Sequence, residues 1–302
     1  MRKRAIVLVP GFGHREQNAA RDQLAEALRH YTEGYRVEPA DKAPPGAVRL
    51  VATNREDGTA LRLDLCEAYW GDLVPDWSDE SPWARFKRGT LLIWYWFRGG
   101  LRSWIARGEA PPRTTFALLG AALMMLVWYA MVILLLVAAI GDGTVSPPEW
   151  ISASAWLQSL WDWLAGWGAA IAGSGLAVLA LAFWGGGVLD RCANFSAYLK
   201  AYLRDEPLGG QGPGVRAKAR RRVTDTLDAL GDAAEDGSYD EVFVIGHSLG
   251  GAIAVDALAE YGTGLERTVL FTWGSALGLL ARQEPLLERE IEKFYTSKTP
   301  IA

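Results

Sequence analysis

The chain has 302 residues, 50% hydrophobic and 22% charged, with a formal net charge of −4. That composition can bury a core and excludes a disordered or fibrous chain, while the acidic balance argues against a nucleic-acid footprint over the whole molecule. Two cysteines, Cys66 and Cys192, cannot form a disulfide framework, and with His14, His30 and His247 they show no metal-ligand spacing, so no metal centre is expected. A mean hydropathy of +0.04 and 14 tryptophans point to a strongly apolar subset of the chain.

Read from the start, Met1 to Arg4 is basic, but the apolar run from Ala5 to Val9 is too short for the core of a secretion signal and is cut by Pro10-Gly11. It predicts a buried strand ending in a glycine turn. Residues 15–31 predict a helix with Ala19, Leu24 and Leu28 at helical spacing, and residues 48–53 and 60–65 alternate around Asp57-Gly58, predicting a hairpin.

The apolar subset comes next. Residues 116–140 carry no charge and as a helix would extend roughly 37 Å against a hydrocarbon core of about 30 Å, which predicts a membrane span. Residues 163–189 form a second uncharged stretch with seven glycines, and Ala165, Ala169, Gly173 and Ala177 fall four apart, where another helix could approach closely. Seven basic residues and one acid lie between Arg85 and Arg113; Arg191, Lys200 and Arg204 follow the second stretch. Residues 141–162 contain Asp142, Glu149 and Asp162 and neither Lys nor Arg. The positive-inside bias therefore predicts two spans with both termini cytoplasmic and a short connection outside. Eleven of the 14 tryptophans lie between Trp83 and Trp184, several placed as interfacial anchors, and residues 91–105, which mix aromatics with Arg98 and Arg102, predict a segment lying along the inner surface.

Beyond the spans, residues 205–214 read as a Gly- and Pro-rich loop, 215–230 as a helix, 241–245 as a strand, 249–261 as a helix and 267–272 as a strand. The alternation predicts a mostly parallel sheet with helices on both faces. Arg216, Lys218, Arg220, Arg221 and Arg222 read as a solvated face open to anionic lipid, Asp256 as a surface residue, and Glu288, Glu290 and Glu292 as a solvated helix face. Gly11-Phe12-Gly13 lacks the third glycine of a dinucleotide fingerprint.

The chemistry centres on Gly246-His247-Ser248-Leu249-Gly250-Gly251, a Gly-x-Ser-x-Gly pattern between an apolar strand and a small-residue helix. A sharp strand-to-helix turn exposes the Ser248 hydroxyl, leaves room only for glycine at Gly246 and Gly250, and turns the helix N-terminus and the Leu249 amide toward developing negative charge. His247, immediately before the serine, is expected to point into the sheet packing and not to serve as its base.

Residues 242–254 resemble the nucleophile elbow of α/β-hydrolases, and within them lipases and esterases. Val7 to Gly13 resembles the strand and glycine turn that supply the second oxyanion-hole amide, which implies Phe12 as donor beside Leu249, and Thr272 to Ser275 resembles the following strand end. The resemblance covers residues 2–65 loosely and 215–275 more closely. It implies an α/β-hydrolase-like domain made of residues 1–84 and 206–302, interrupted by a two-helix transmembrane insertion within residues 85–205, and acyl-ester hydrolysis by Ser248 with no cofactor. The implied partners are a lipid bilayer and a small-molecule or lipid acyl ester, with no nucleic acid.

The chain departs from that family in one respect: no histidine follows Ser248, whereas the family order is nucleophile, acid, histidine. Three readings follow. The acid and base lie beyond residue 302, in an incomplete domain; His14 or His30 replaces the base, with His14 also a candidate substrate-binding residue; or the fold is a non-catalytic binding or scaffold protein.

Overall fold

The alternating run Arg2–Val9 forms β1, with Ala5, Val7 and Val9 buried and the residues between them half-covered. In the computed structural model, which describes residues 1–13, 16–31, 33–152, 154–173, 187–208, 212–232, 239–261, 265–275 and 277–296, this strand sits inside a six-stranded sheet. The other strands are β2 (Tyr35–Pro39), β3 (Val48–Asn54), β4 (Ala60–Glu67), β5 (Glu241–His247) and β6 (Thr268–Trp273), in the spatial order β2-β3-β4-β1-β5-β6. β4, β1, β5 and β6 run parallel, and β2 and β3 complete the sheet antiparallel. The fold is thus α/β with a mostly parallel sheet.

Two compact units emerge, residues 1–75 with 201–302 and residues 76–200. In the first, the hairpin turn falls where expected: Gly58 takes φ +70, and the Asp57 carboxylate accepts from the Thr59 amide and hydroxyl at 2.9 and 2.7 Å. The helix Ala19–Tyr31 starts four residues later than the sequence pattern predicts. Its first amides are capped from far along the chain, Glu67 accepting from Ala20 and Arg21 at 2.9 and 3.2 Å, an anchor that local spacing does not reveal. Ala25 of this helix packs with Leu50, Ala52, Leu63 and Leu65 on one sheet face.

The helix Leu249–Tyr261 is buried from Leu249 to Leu258 and packs on β5 and on the helix Val215–Asp232. This packing overturns the surface reading of Asp256. Its side chain is fully buried; both oxygens accept from Arg216, at 2.5 and 2.6 Å, and the Tyr202 hydroxyl donates at 2.9 Å. The basic run is divided: Arg216 is buried, while Arg221 and Arg222 stay on an exposed face, each with an acidic neighbour. Arg220 pairs with Glu260 at 2.8 Å, Arg222 with Asp72 at 2.6 Å and Arg221 with Asp225 at 3.6 Å. The two helices lock together because a buried carboxylate needs charged donors around it.

In the second unit, Ser81 caps the helix Pro82–Arg98, Gly99 ends it, and Gly100–Ala106 follows. The predicted apolar stretch lies inside the helix Pro112–Gly141, which alone among the described residues is long and apolar enough to cross a membrane. Of the second predicted span, residues 163–173 belong to the helix Ala155–Gly173, and residues 174–186 lie outside the described residues. The two helices meet where neither carries a side chain: a Cβ on Gly141 would lie 2.6 Å from the Gly168 Cα, and a Cβ on Gly168 would lie 2.8 Å from the Gly141 Cα. The long helix is not apolar in all its contacts. Near its middle, Trp128 is buried, its indole nitrogen donates to Asp190 at 3.0 Å, and the Arg88 guanidinium lies over its ring.

Candidate active site

Ser248 joins β5 to the helix Leu249–Tyr261 with φ +54. A non-glycine residue there is strained by contact between its Cβ and its own backbone, so the surrounding structure must hold it in place. Three close approaches do so. A Cβ on Gly246 would come within 2.5 Å of the Gly251 Cα, one on Gly250 would run into the carbonyl oxygens of Val9 and Pro10, and one on Gly251 would meet the Ser275 side chain at 2.8 Å. The glycines of the pattern are therefore required by packing between backbones.

Hydrogen bonds complete the hold. The Ser248 amide donates to the Trp273 carbonyl at 2.9 Å, and the Gly251 amide donates to the Ser248 carbonyl at 3.1 Å. On the other side, β1 pairs with β5 from Arg4 opposite Glu241 to Val9 opposite Gly246, which brings the Pro10-Gly11 turn alongside the serine. A Cβ on Gly11 would lie 3.1 Å from the Ser248 Cβ and 2.8 Å from His247 Nδ1. The buried indole of Trp70 donates to the Pro10 carbonyl at 2.9 Å and fixes this turn. Trp70 has no local sequence signal; its partner is 60 residues away.

Gly11, Gly246, His247, Ser248, Leu249 and Gly250 are thus brought together at the C-terminal ends of β1 and β5, with half-buried Phe12 in the turn after β1. Leu249 opens a 13-residue helix whose N-terminal end lies at the serine, so its dipole favours negative charge there. His247 departs from expectation. It is exposed, and its ring stands edge-on to Trp273 with centroids 5.8 Å apart. The register explains this: His247 pairs with Trp273, and both side chains leave the sheet on the same face. His30 lies on the exposed side of the helix Ala19–Tyr31, its Nδ1 2.9 Å from the Glu26 carbonyl oxygen. His14 lies outside the described residues. Among the described residues, no group hydrogen-bonds the Ser248 hydroxyl.

A second candidate nucleophile in this unit is placed differently. Cys66 is buried on β4, and burial, with the Asp64 carboxylate adding to it, pushes its thiol up to about 11, so at neutral pH it stays protonated and unreactive. Among the described residues no group of three or more His, Cys, Asp or Glu side chains could hold a metal ion. Compared with known protein families, curated proteins and solved structures, the chain matches none.

Proposed function

We propose that the chain is a membrane-anchored serine hydrolase of the α/β-hydrolase kind, cleaving acyl esters with Ser248 as nucleophile. The observation that carries this reading is the left-handed backbone of Ser248, φ +54, at a strand-to-helix turn. A fold tolerates such strain where it serves to present a side chain. Ser248 Oγ attacks the acyl carbonyl, the Leu249 and Phe12 amides receive the oxyanion, the alcohol departs, and water releases the acyl group from the serine. The nearness of Gly11 to Ser248 supports assigning the second amide to the turn that follows β1.

Anchoring rests on the helix Pro112–Gly141, whose Phe116, Leu119, Leu123 and Leu126 are exposed. In the full reading, a two-helix insertion made with residues 163–189 holds the domain at the inner leaflet, with both termini in the cytoplasm. That location favours lipid or other apolar acyl esters.

The test is labelling by a fluorophosphonate, which reacts with an activated serine. The wild-type chain should label, and Ser248→Ala should not; equal labelling of the two overturns the nucleophile. His14→Gln and His30→Gln divide the remaining imidazoles: a slower reaction in the first alone would bring His14 into the site, and loss of the reaction's pH dependence with it would mark it as the base. A second reading, a hydrolase fold that binds without turnover, is favoured by the lack of a partner for the Ser248 hydroxyl among the described residues. Failure to label in the full-length gene product as well as in this chain would select it, whereas labelling of a longer product alone would place the base beyond residue 302.

A further inference from the structure

The helix Pro82–Arg98 is two-faced. Gly89, Leu92 and Tyr95 are buried, and a Cβ on Gly89 would meet the Tyr129 and Trp128 rings at 2.7 and 2.9 Å, so this side lies directly against the helix Pro112–Gly141. The other side is exposed and should be polar in a chain surrounded by water. Instead it presents Leu91, Trp94 and Phe97, each more than half exposed. The cations on this side cover the rings: Arg98 lies 4.3 Å above Trp94, and Arg102, from the following short helix, 4.2 Å above Phe97.

Exposed aromatic rings with guanidinium groups stacked over them match the boundary of a bilayer, where rings sit among headgroups and arginines reach the phosphates. Two features favour an anionic membrane surface over a protein partner. The patch is continuous in sequence and in packing with the long apolar helix, whose exposed Phe116 and Leu119 lie in its first turns. Its charge is also predominantly positive: Arg98, Arg102, Arg107 and Arg113 lie around the turn between the helices, against the single acid Glu109. Arg107 pairs with Glu109 at 2.6 Å, leaving Arg98 and Arg102 stacked on their rings.

We infer that the surface formed by Leu91, Trp94, Phe97, Arg98 and Arg102 docks on an anionic lipid headgroup layer, the rings entering the interface and the arginines binding lipid phosphate. This rests on the membrane part of the reading above and is independent of the chemistry at Ser248. It adds a headgroup contact to the anchoring made by the spanning helix.

The test uses the full chain, reconstituted into vesicles of phosphatidylcholine alone or with roughly one third phosphatidylglycerol. In a Cys192→Ala background, Trp94→Cys, Leu123→Cys and Glu38→Cys each carry a polarity-sensitive fluorophore; Cys66 is buried and stays unlabelled. With the anionic lipid present, the label at position 94 should be quenched by a shallow lipid-borne quencher and about threefold less by aqueous iodide than the label at position 38. Arg98→Glu with Arg102→Glu should restore iodide access, whereas Arg98→Lys with Arg102→Lys should not. If position 94 is as open to iodide as position 38 while position 123 is quenched from the bilayer centre, the inference fails and the spanning helix stands. If position 123 is itself open to iodide, the membrane reading fails with it. Equal lipid quenching at position 94 in both vesicle types overturns the headgroup assignment.

Discussion

The amide of Ser248 is tied to the carbonyl of Trp273, 2.9 Å away at the end of the neighbouring strand. Strand β6 therefore clamps the one residue in the elbow whose backbone is strained, and it does so without using a side chain. The ring of Trp273 remains largely exposed and stands against His247, so substitutions there alter the surface of the site more than the position of the serine.

If φ +54 at Ser248 is strain held for function, Ser248→Gly should raise stability by about 0.5–1 kcal/mol over Ser248→Ala, since glycine alone lacks the clashing Cβ. Gly250→Ala should do the opposite and lower stability by several kcal/mol, because its methyl group would enter the carbonyls of Val9 and Pro10. Thermal unfolding followed by circular dichroism in detergent would rank the three variants.

Removing one partner of the buried pair between the elbow helix and the helix Val215–Asp232 should be severe. Asp256→Ala leaves Arg216 buried and without its carboxylate and should cost about 3–5 kcal/mol. Asp256→Leu combined with Arg216→Met removes both charges and should recover much of that loss. A double variant no more stable than Asp256→Ala would show that the pair's contribution is packing and not charge.

Stability should decline on the alkaline side. The folded state holds the Cys66 thiol protonated up to about 11 against an ordinary value of 9.0, and burial with the Asp64 hydrogen bond raises the Tyr239 hydroxyl above its ordinary 10.0. Both groups bind protons more tightly folded than unfolded. Their contribution is complete below about pH 9 and is lost as pH rises from 9 toward 11 and beyond, by roughly 2–3 kcal/mol for Cys66 alone. Chemical denaturation at pH 7, 9 and 10.5 would reveal the slope, and Cys66→Ala should flatten it while lowering stability at pH 7.

Orientation is open to direct test at Ser152, exposed at the end of the short helix Glu149–Ser152 in the connection predicted to lie outside. Ser152→Cys in intact cells should react with a membrane-impermeant thiol reagent. Protection in intact cells and reaction only after lysis would reverse the topology.

Much of the site was legible because its signals are local. The glycines around Ser248 and the apolar strand before it specify a tight turn within nine residues, and the helix Leu249–Tyr261 begins and ends where its small and apolar residues do. The hairpin at Asp57-Gly58 was legible for the same reason. β2 was not, because only Val37 among its five residues is even half-buried and its pairing with β3 supplies what its own pattern lacks. Trp70 and Glu67, which fix the Pro10-Gly11 turn and the first long helix, act on residues 46 to 60 positions away; no local spacing announces such contacts.

By itself the sequence determined the alternation of strand and helix, the glycine-framed serine and the apolar stretch 116–140 that lies inside the helix Pro112–Gly141, since backbone sterics and hydrophobic periodicity act over short distances. Only the tertiary structure decided which charges are buried. It placed Asp256 in the core with Arg216, turned His247 outward against Trp273, and set Trp128 and Asp190 together beside an otherwise apolar helix. Burial is settled by what arrives from elsewhere in the chain, so a residue's own neighbours in sequence cannot report it.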